Sequence, residues 1–163
     1  MKPFEETCLL DGPAGVIETL IDAPENPRGI ALVCHPHPLF GGANTNKVAH
    51  TLARTFAQLG YLALRPNFRG VGASAGSHDH GQGETDDMLA VVAQAKARFG
   101  DLPLVLAGFS FGGYVVTRLA EALADAGHPA QRLVLVGLAT GDIADDRGYT
   151  ARPVAAGSLV IHG

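Results

Sequence analysis

The sequence is poor in cysteine: it has only Cys8 and Cys34, and no CxxC pair. Both residues lie in apolar, strand-like surroundings, so we expect reduced buried thiols and not a disulfide or a metal-binding pair. Thiols of this kind are typical of a cytoplasmic protein.

Positive charge is also scarce. Lysine and arginine total 12 against 16 aspartate and glutamate, a formal net charge of −4 with neutral histidine, so we do not expect a nucleic-acid partner. The sequence lacks the run of about 18 apolar residues that a membrane span needs, and its first six residues lack the apolar core of a targeting signal. We therefore expect neither a membrane segment nor an export signal.

The 163 residues are 47% hydrophobic and 17% charged, the balance of a soluble globular protein, and their number fits one domain, residues 1–163. The pattern predicts an N-terminal hairpin, followed by apolar strands that alternate with segments of helical periodicity. The hairpin covers 4–10 and 16–23, the later strands 30–34, 62–64, 104–107, 133–136 and 158–161, and the helices 47–59, 85–99 and 111–126. This alternation predicts an α/β fold with a mainly parallel sheet and helices on both faces.

The segment Gly108-Phe109-Ser110-Phe111-Gly112 matches G-x-S-x-G between a predicted strand and a predicted helix, the context in which this motif presents a catalytic serine. A turn this tight requires minimal side chains at Gly108 and Gly112, and it exposes the hydroxyl of Ser110. The N–H of Phe111, at the start of the helix, is a predicted donor to the negative oxygen of a tetrahedral intermediate. Such a turn also occurs in nucleotide-binding folds, with the serine as a helix cap, but neither G-x-G-x-x-G nor a Walker lysine is present.

The strand 30–34 ends in His35-Pro36-His37-Pro38-Leu39-Phe40-Gly41-Gly42, where hydrolases with this serine motif place a second oxyanion donor. Because Pro36 has no N–H, the predicted donor is the N–H of His37, and the peptide before Pro38 is a candidate cis bond. As an alternative, His35 and His37 are candidate metal ligands, since residues two apart on an extended segment face the same way. We expect no metal, because no carboxylate has clear ligand spacing to them. We interpret two further histidines, His78 and His80, as part of a polar surface loop.

Three blocks of the sequence together resemble the α/β-hydrolase superfamily, and within it the compact lidless serine hydrolases related to dienelactone hydrolases. The blocks are 35–42 with 46–48, 67–74 with 81–84, and 108–113, in the order of that family. The resemblance implies an α/β-hydrolase fold through Gly163. It also implies that residues 1–163 are truncated at the C-terminus, because the family's triad acid follows the last strand and its histidine lies further on. Asp142, in the loop after the strand 133–136, is a weaker candidate for the acid.

These features predict an esterase-type serine hydrolase that acts on a small carboxylic ester or related acyl compound. Ser110 attacks, the N–H groups of His37 and Phe111 stabilise the oxyanion, and water releases the acid from an acyl-serine intermediate. Phe40 and Phe109 are candidate pocket walls, although each also suits the core. We expect no cofactor, and little activity unless the chain continues past Gly163. The alternatives are a catalytically silent α/β-hydrolase-like binding domain and, more weakly, a metallohydrolase that uses His35 and His37; the pattern gives no oligomeric state.

Overall fold

The computed structural model describes residues 4–138, 141–143, 147–149, 153 and 157–162, and within them the chain forms nine strands and three α-helices. The strands are β1 Phe4–Gly12, β2 Gly15–Ala23, β3 Gly29–Cys34, β4 Tyr61–Pro66, β5 Leu104–Phe109, β6 Arg132–Val136, β7 Gly141–Ile143, β8 Arg147–Tyr149 and β9 Leu159–Ile161. The helices are α1 Lys47–Gln58, α2 Gln82–Phe99 and α3 Phe111–Asp125. A short 3-10 helix, Pro38–Phe40, follows β3.

Seven strands form one sheet in the order β1-β2-β4-β3-β5-β6-β9. The hairpin β1–β2 is antiparallel and joins β4 in antiparallel register, while β4, β3, β5, β6 and β9 run parallel to one another. The predicted hairpin and mainly parallel sheet are confirmed. Because parallel strands share an orientation, the segments that follow β3, β4 and β5 leave the sheet at the same edge.

Helices cover both faces of the sheet, as predicted. In β3, β4 and β5 successive side chains point to opposite faces. Small residues on both sides let α1 pack close to the strands: Ala49 and Ala53 of the helix lie against the sheet in one cluster with Val33, Ala63 and Ala107. The other face carries the larger aliphatic residues of the same strands, and α2 and α3 pack against it.

The start of α1 was predicted correctly from the local sequence, whereas the start of α2 was not. α1 begins as predicted at Asn46, whose side-chain oxygen accepts hydrogen bonds from the N–H groups of Val48 (2.9 Å) and Ala49 (3.2 Å). α2 begins at Gln82 and not near Thr85, so the predicted start was three residues late. Two glycines at 81 and 83 hide this start, because glycine has a low helix propensity.

The segment after β6 also differs from its prediction. It was expected to be a loop, but β7 and β8 pair as a separate two-stranded antiparallel sheet. Strands of three residues are too short to produce a readable alternation of apolar and polar positions. No helix in the part of the chain that the structure describes has the length and apolar character needed to cross a membrane.

Candidate active site

Ser110 lies at the turn between β5 and α3, as the motif predicts. Its backbone has φ 54° and ψ −115°, a left-handed conformation that is strained for a residue with a side chain. The Ser110 N–H donates to the carbonyl of Val136 at the end of β6 (2.9 Å), and its carbonyl accepts from the N–H of Gly113 (3.0 Å). Neighbouring backbone therefore fixes the serine on both sides and maintains the strained turn.

Close backbone contacts explain the glycines that flank Ser110. A Cβ atom on Gly108 would lie 2.4 Å from the carbonyl carbon of Gly112. A Cβ atom on Gly112 would lie 2.3 Å from the carbonyl oxygen of Cys34 and 2.5 Å from that of His35. The start of α3 thus packs directly on the backbone that leaves β3, which brings the serine turn against the loop that was predicted to supply the second oxyanion donor.

That loop turns immediately at His37. The carbonyl of His37 accepts hydrogen bonds from the N–H groups of Phe40 (3.1 Å) and Gly42 (3.0 Å), and a Cβ atom on Gly42 would lie 2.1 Å from the carbonyl oxygen of Pro36. The candidate cis bond before Pro38 was wrong, since the described residues contain no cis peptide. Pro38 instead begins the 3-10 helix, a position that suits the fixed φ angle of proline.

Buried amides connect this loop to the loop after β4. The N–H of Asn44 donates to Oδ1 of Asn67 (2.8 Å), and Nδ2 of Asn44 donates to the carbonyl of Arg65 (3.0 Å). Asn67 in turn donates from Nδ2 to Oε1 of Glu18 in β2 (2.7 Å). Because Asn44 and Asn67 are buried, these bonds define the relative position of the two loops.

His35 is a core residue, and both of its ring nitrogens are occupied. Nε2 accepts a hydrogen bond from the N–H of Phe68 (3.0 Å), so the neutral ring carries its proton on Nδ1, which donates to the carbonyl of Pro36 (2.7 Å). Burial lowers the pKa of His35 to about 4. In this arrangement no lone pair is left for a metal or for the proton of Ser110, so His35 does not fit the weaker alternative in which it is a metal ligand.

The neutrality of His35 has a consequence for stability. Above its ordinary pKa of about 6.5 the ring is neutral in the folded and the unfolded chain; below it, only the unfolded chain gains a proton until the pH approaches 4. We expect the free energy of unfolding to fall as the pH decreases from 6.5 to 4, by about 3 kcal/mol from this residue. The His35→Gln variant keeps an amide oxygen that can accept from the N–H of Phe68. Urea unfolding at several pH values should show that this variant lacks the loss of about 3 kcal/mol that His35 accounts for. The exposed His128→Gln variant should retain it, and an unchanged pH dependence in His35→Gln would contradict the assignment.

The rings of His37 and His78 meet at the side chain of Phe111, the residue after Ser110. Their centroids lie 4.8 Å (His37) and 5.3 Å (His78) from that of Phe111 and 4.8 Å from each other, and the ring of His80 lies 4.9 Å from that of His78. The predicted surface loop is present and His80 is exposed, but the ring of His78 turns inward and its side chain is only 8% exposed. Nδ1 of His78 lies 3.1 Å from Oε2 of the fully buried Glu84, outside hydrogen-bonding angles.

Burial lowers the pKa of His78, the carboxylate of Glu84 opposes this shift, and His80 adds to it. The ring of His37 accepts a hydrogen bond at Nδ1 from the N–H of Leu39 (3.2 Å), so in its neutral form it carries the proton on Nε2. Four histidines lie in the loops after β3 and β4. In His35 and His37 the nitrogen lone pair that a general base needs already accepts a hydrogen bond from a backbone N–H.

The remaining candidate residues lie in different surroundings. Phe109 is half-buried, and its ring would lie 3.3 Å from a Cβ atom on Gly137, whereas Phe40 is 62% exposed. Asp142 lies in β7, where its backbone pairs with Gly148; its side chain is outside the described residues. Among the residues that the structure describes, no group of three or more histidine, cysteine, aspartate or glutamate side chains is arranged to hold a metal ion.

Sequence reasoning did not assign two contacts that hold the loop after β4, an ion pair and a carboxylate bonded to backbone N–H groups. Arg69 binds Asp87 through two hydrogen bonds, from Nε (2.7 Å) and from a terminal nitrogen (2.8 Å), which also raises the pKa of the arginine. Glu84 accepts from the N–H groups of Asp79 (2.9 Å) and Gly81 (3.0 Å) at the start of α2. The spacing of Gly81 and Glu84, with an acid three residues after a helix cap, is the signal that predicts the second contact.

Known proteins match this chain along most of its length. A family model for serine aminopeptidase, S33, matches residues 25–156. A solved α/β serine hydrolase without a lid, from Xanthomonas campestris, is 40% identical with a TM-score of 0.79, and the match covers 97% of this chain and 70% of that one. A Rickettsia prowazekii protein is 39% identical over 121 residues, which are 72% of this chain and 50% of that protein. The lysophosphatidylserine lipase of Danio rerio is 36% identical over 105 residues, 62% of this chain and 27% of the lipase.

Proposed function

The chain belongs to the serine aminopeptidase S33 family of α/β serine hydrolases, and we propose that it hydrolyses a small carboxylic ester or related acyl compound through an acyl-Ser110 intermediate. The observation that carries the proposal is the strained backbone of Ser110 at the turn between β5 and α3, packed against the loop of His37. The family is named for a serine aminopeptidase, and one relative is named a lysophosphatidylserine lipase. Both reactions begin with attack of a serine on a carbonyl carbon.

In the proposed reaction the hydroxyl oxygen of Ser110 bonds to the carbonyl carbon, and the N–H groups of His37 and Phe111 stabilise the negative oxygen. The bond to the leaving alcohol breaks, and the alcohol takes the proton that Ser110 has lost. Water then attacks the acyl-serine, the carboxylic acid leaves, and the hydroxyl of Ser110 is restored.

The serine also needs a base to accept its proton, because a hydroxyl is a poor nucleophile at neutral pH. His35 and His37 are unsuited, since their acceptor nitrogens are already bonded. We propose that the acid and the histidine are supplied by sequence beyond residue 163, in the order of the family. The coverage supports this proposal, since the chain spans 70% of the lidless hydrolase and about half of the Rickettsia protein.

A comparison of two proteins tests the proposal: the chain 1–163, and the same chain extended by the C-terminal segment of the Xanthomonas campestris hydrolase. We expect the extended protein to hydrolyse p-nitrophenyl acetate at least about 10³-fold faster than the short one, since a serine without its base retains only residual catalysis. Mass spectrometry of the quenched reaction should find the acetyl group on Ser110. An aminoacyl p-nitroanilide, assayed in parallel, shows whether amides are also cleaved.

Circular dichroism first establishes that both proteins are folded. If neither protein acylates Ser110, the proposal is wrong and a catalytically silent binding domain becomes the better explanation. If both turn over at the same rate and both lose it on Ser110→Ala, the base is internal and must be sought at His78 or His80.

A further inference from the structure

Two adjacent apolar side chains are exposed beside the serine turn. Leu39 is 67% exposed and Phe40 is 62% exposed, both in the 3-10 helix that follows His37. Single exposed apolar residues are common, but an adjacent pair on the loop that packs against the serine turn favours a contact surface. We call Leu39 and Phe40 the apolar lip.

The backbone of the apolar lip is well fixed. The N–H of Phe40 donates to the carbonyl of His37 (3.1 Å), and the N–H of Gly41 donates to the carbonyl of Pro38 (3.3 Å). The two prolines at 36 and 38 restrict the same turn further. The two apolar side chains are therefore presented to solvent by a constrained turn, which lowers the entropic cost of binding a ligand there.

A row of ring contacts runs from the apolar lip to Phe111, the residue that follows Ser110. The ring of Phe40 meets the ring of His37 edge-on, with centroids 5.0 Å apart, and the ring of His37 lies 4.8 Å from that of Phe111. Phe111 directly follows Ser110 and is only 1% exposed, so its ring packs beneath His37 and leaves the rings of His37 and Phe40 as the surface that a ligand can contact. An elongated apolar group attached to a carbonyl at Ser110 would find its next apolar contacts along this row.

We propose that the apolar lip binds the acyl chain of the substrate, so that esters of acids with several carbons are preferred to acetyl esters. This inference rests on the proposed function, since it takes Ser110 as the reacting residue. The acyl chain is favoured over the alcohol because His37, the proposed oxyanion donor, and Phe40 belong to one fixed turn. The acyl group stays bonded to the serine through both steps, whereas the alcohol leaves after the first.

Binding of simple carboxylates tests this inference without any reaction. The protein has no tryptophan, so Phe40→Trp introduces a single fluorescent reporter at the apolar lip. We expect the affinity for butanoate, hexanoate, octanoate and decanoate to rise about threefold for each added methylene, together with a blue shift of the emission. The matched control is Leu9→Trp, on β1, where the native side chain is 58% exposed; its emission should not change.

Calorimetry on proteins without the reporter completes the test. The double variant Leu39→Ala, Phe40→Ala should lose most of the increase in affinity with chain length, while Leu9→Ala should keep it. Both sites are exposed, so the unfolding midpoints should stay close to that of the native protein. A full chain-length dependence in the double variant would overturn the inference. So would a chain-length dependence seen with n-alcohols and not with carboxylates, which would assign the apolar lip to the leaving group.

The two proposals fail in different ways. Acylation of Ser110 by an acetyl ester without chain-length-dependent binding would refute the role of the apolar lip and leave the serine hydrolase in place. Chain-length-dependent binding that persists in Ser110→Ala, together with no acylation of Ser110 in the extended protein, would support the apolar lip as a ligand site and refute the hydrolase.

Discussion

We expect the Ser110→Ala substitution to lower hydrolysis of p-nitrophenyl acetate at least about 10³-fold in the extended protein that carries the acid and the histidine. Alanine leaves the turn and the proposed oxyanion donors in place but removes the oxygen that forms the acyl intermediate. The residual rate should be that of direct attack by water on the ester, accelerated only by the groups that the Ser110→Ala variant retains. Initial rates at several ester concentrations separate a loss in kcat from a change in KM, and we expect the loss in kcat.

Two further variants separate chemistry from structure in this experiment. Ser77→Ala removes an exposed serine from the loop after β4 and should keep the native rate. Ser110→Gly should be as inactive as Ser110→Ala but should unfold at a higher urea concentration, because glycine relieves a strain of about 1 kcal/mol at φ 54°. A Ser110→Ala protein that retains the native rate would show that another residue is the nucleophile.

The sheet and most helix positions were predictable because their signals are local. The strand at 30–34 is a continuous apolar run, as expected where a parallel strand is covered on both faces, and Asn46 marks the start of a helix in the sequence itself. The start of α2 was misplaced because glycine is a weak local signal at a helix start. The pair β7–β8 was missed because three residues carry too little periodicity.

The candidate site was predictable only in part, for a related reason. The turn at Ser110 follows from the spacing of its glycines, which reflects contacts between near neighbours. The contacts of His35 and His78 could not be predicted, because they depend on residues that the fold brings together: His35 accepts from Phe68, 33 positions away. The local sequence around a histidine on an extended segment does not show whether its ring faces solvent, a metal or the core. For His35, the packing of β3 against the loop after β4 determines which of the three environments the ring occupies.

Gly112 allows α3 to approach β3 closely, and the proposed active site depends on this approach. We expect Gly112→Ala to lower the free energy of unfolding by about 3 kcal/mol or more, since its Cβ would lie within 2.5 Å of two backbone carbonyl oxygens. Backbone cannot rotate away as a side chain can. Gly113→Ala is the matched control: its nearest contact is Cδ1 of Leu138 at 3.0 Å, a side chain that can move, so we expect a loss below about 1 kcal/mol. Urea unfolding of both variants measures the difference, and equal stabilities would show that the structure places α3 too close to β3. Because the same contact packs the Ser110 turn against the loop that leads to His37, Gly112→Ala should also lower acylation of Ser110 in whatever fraction of the extended protein folds, while Gly113→Ala should leave most of it intact.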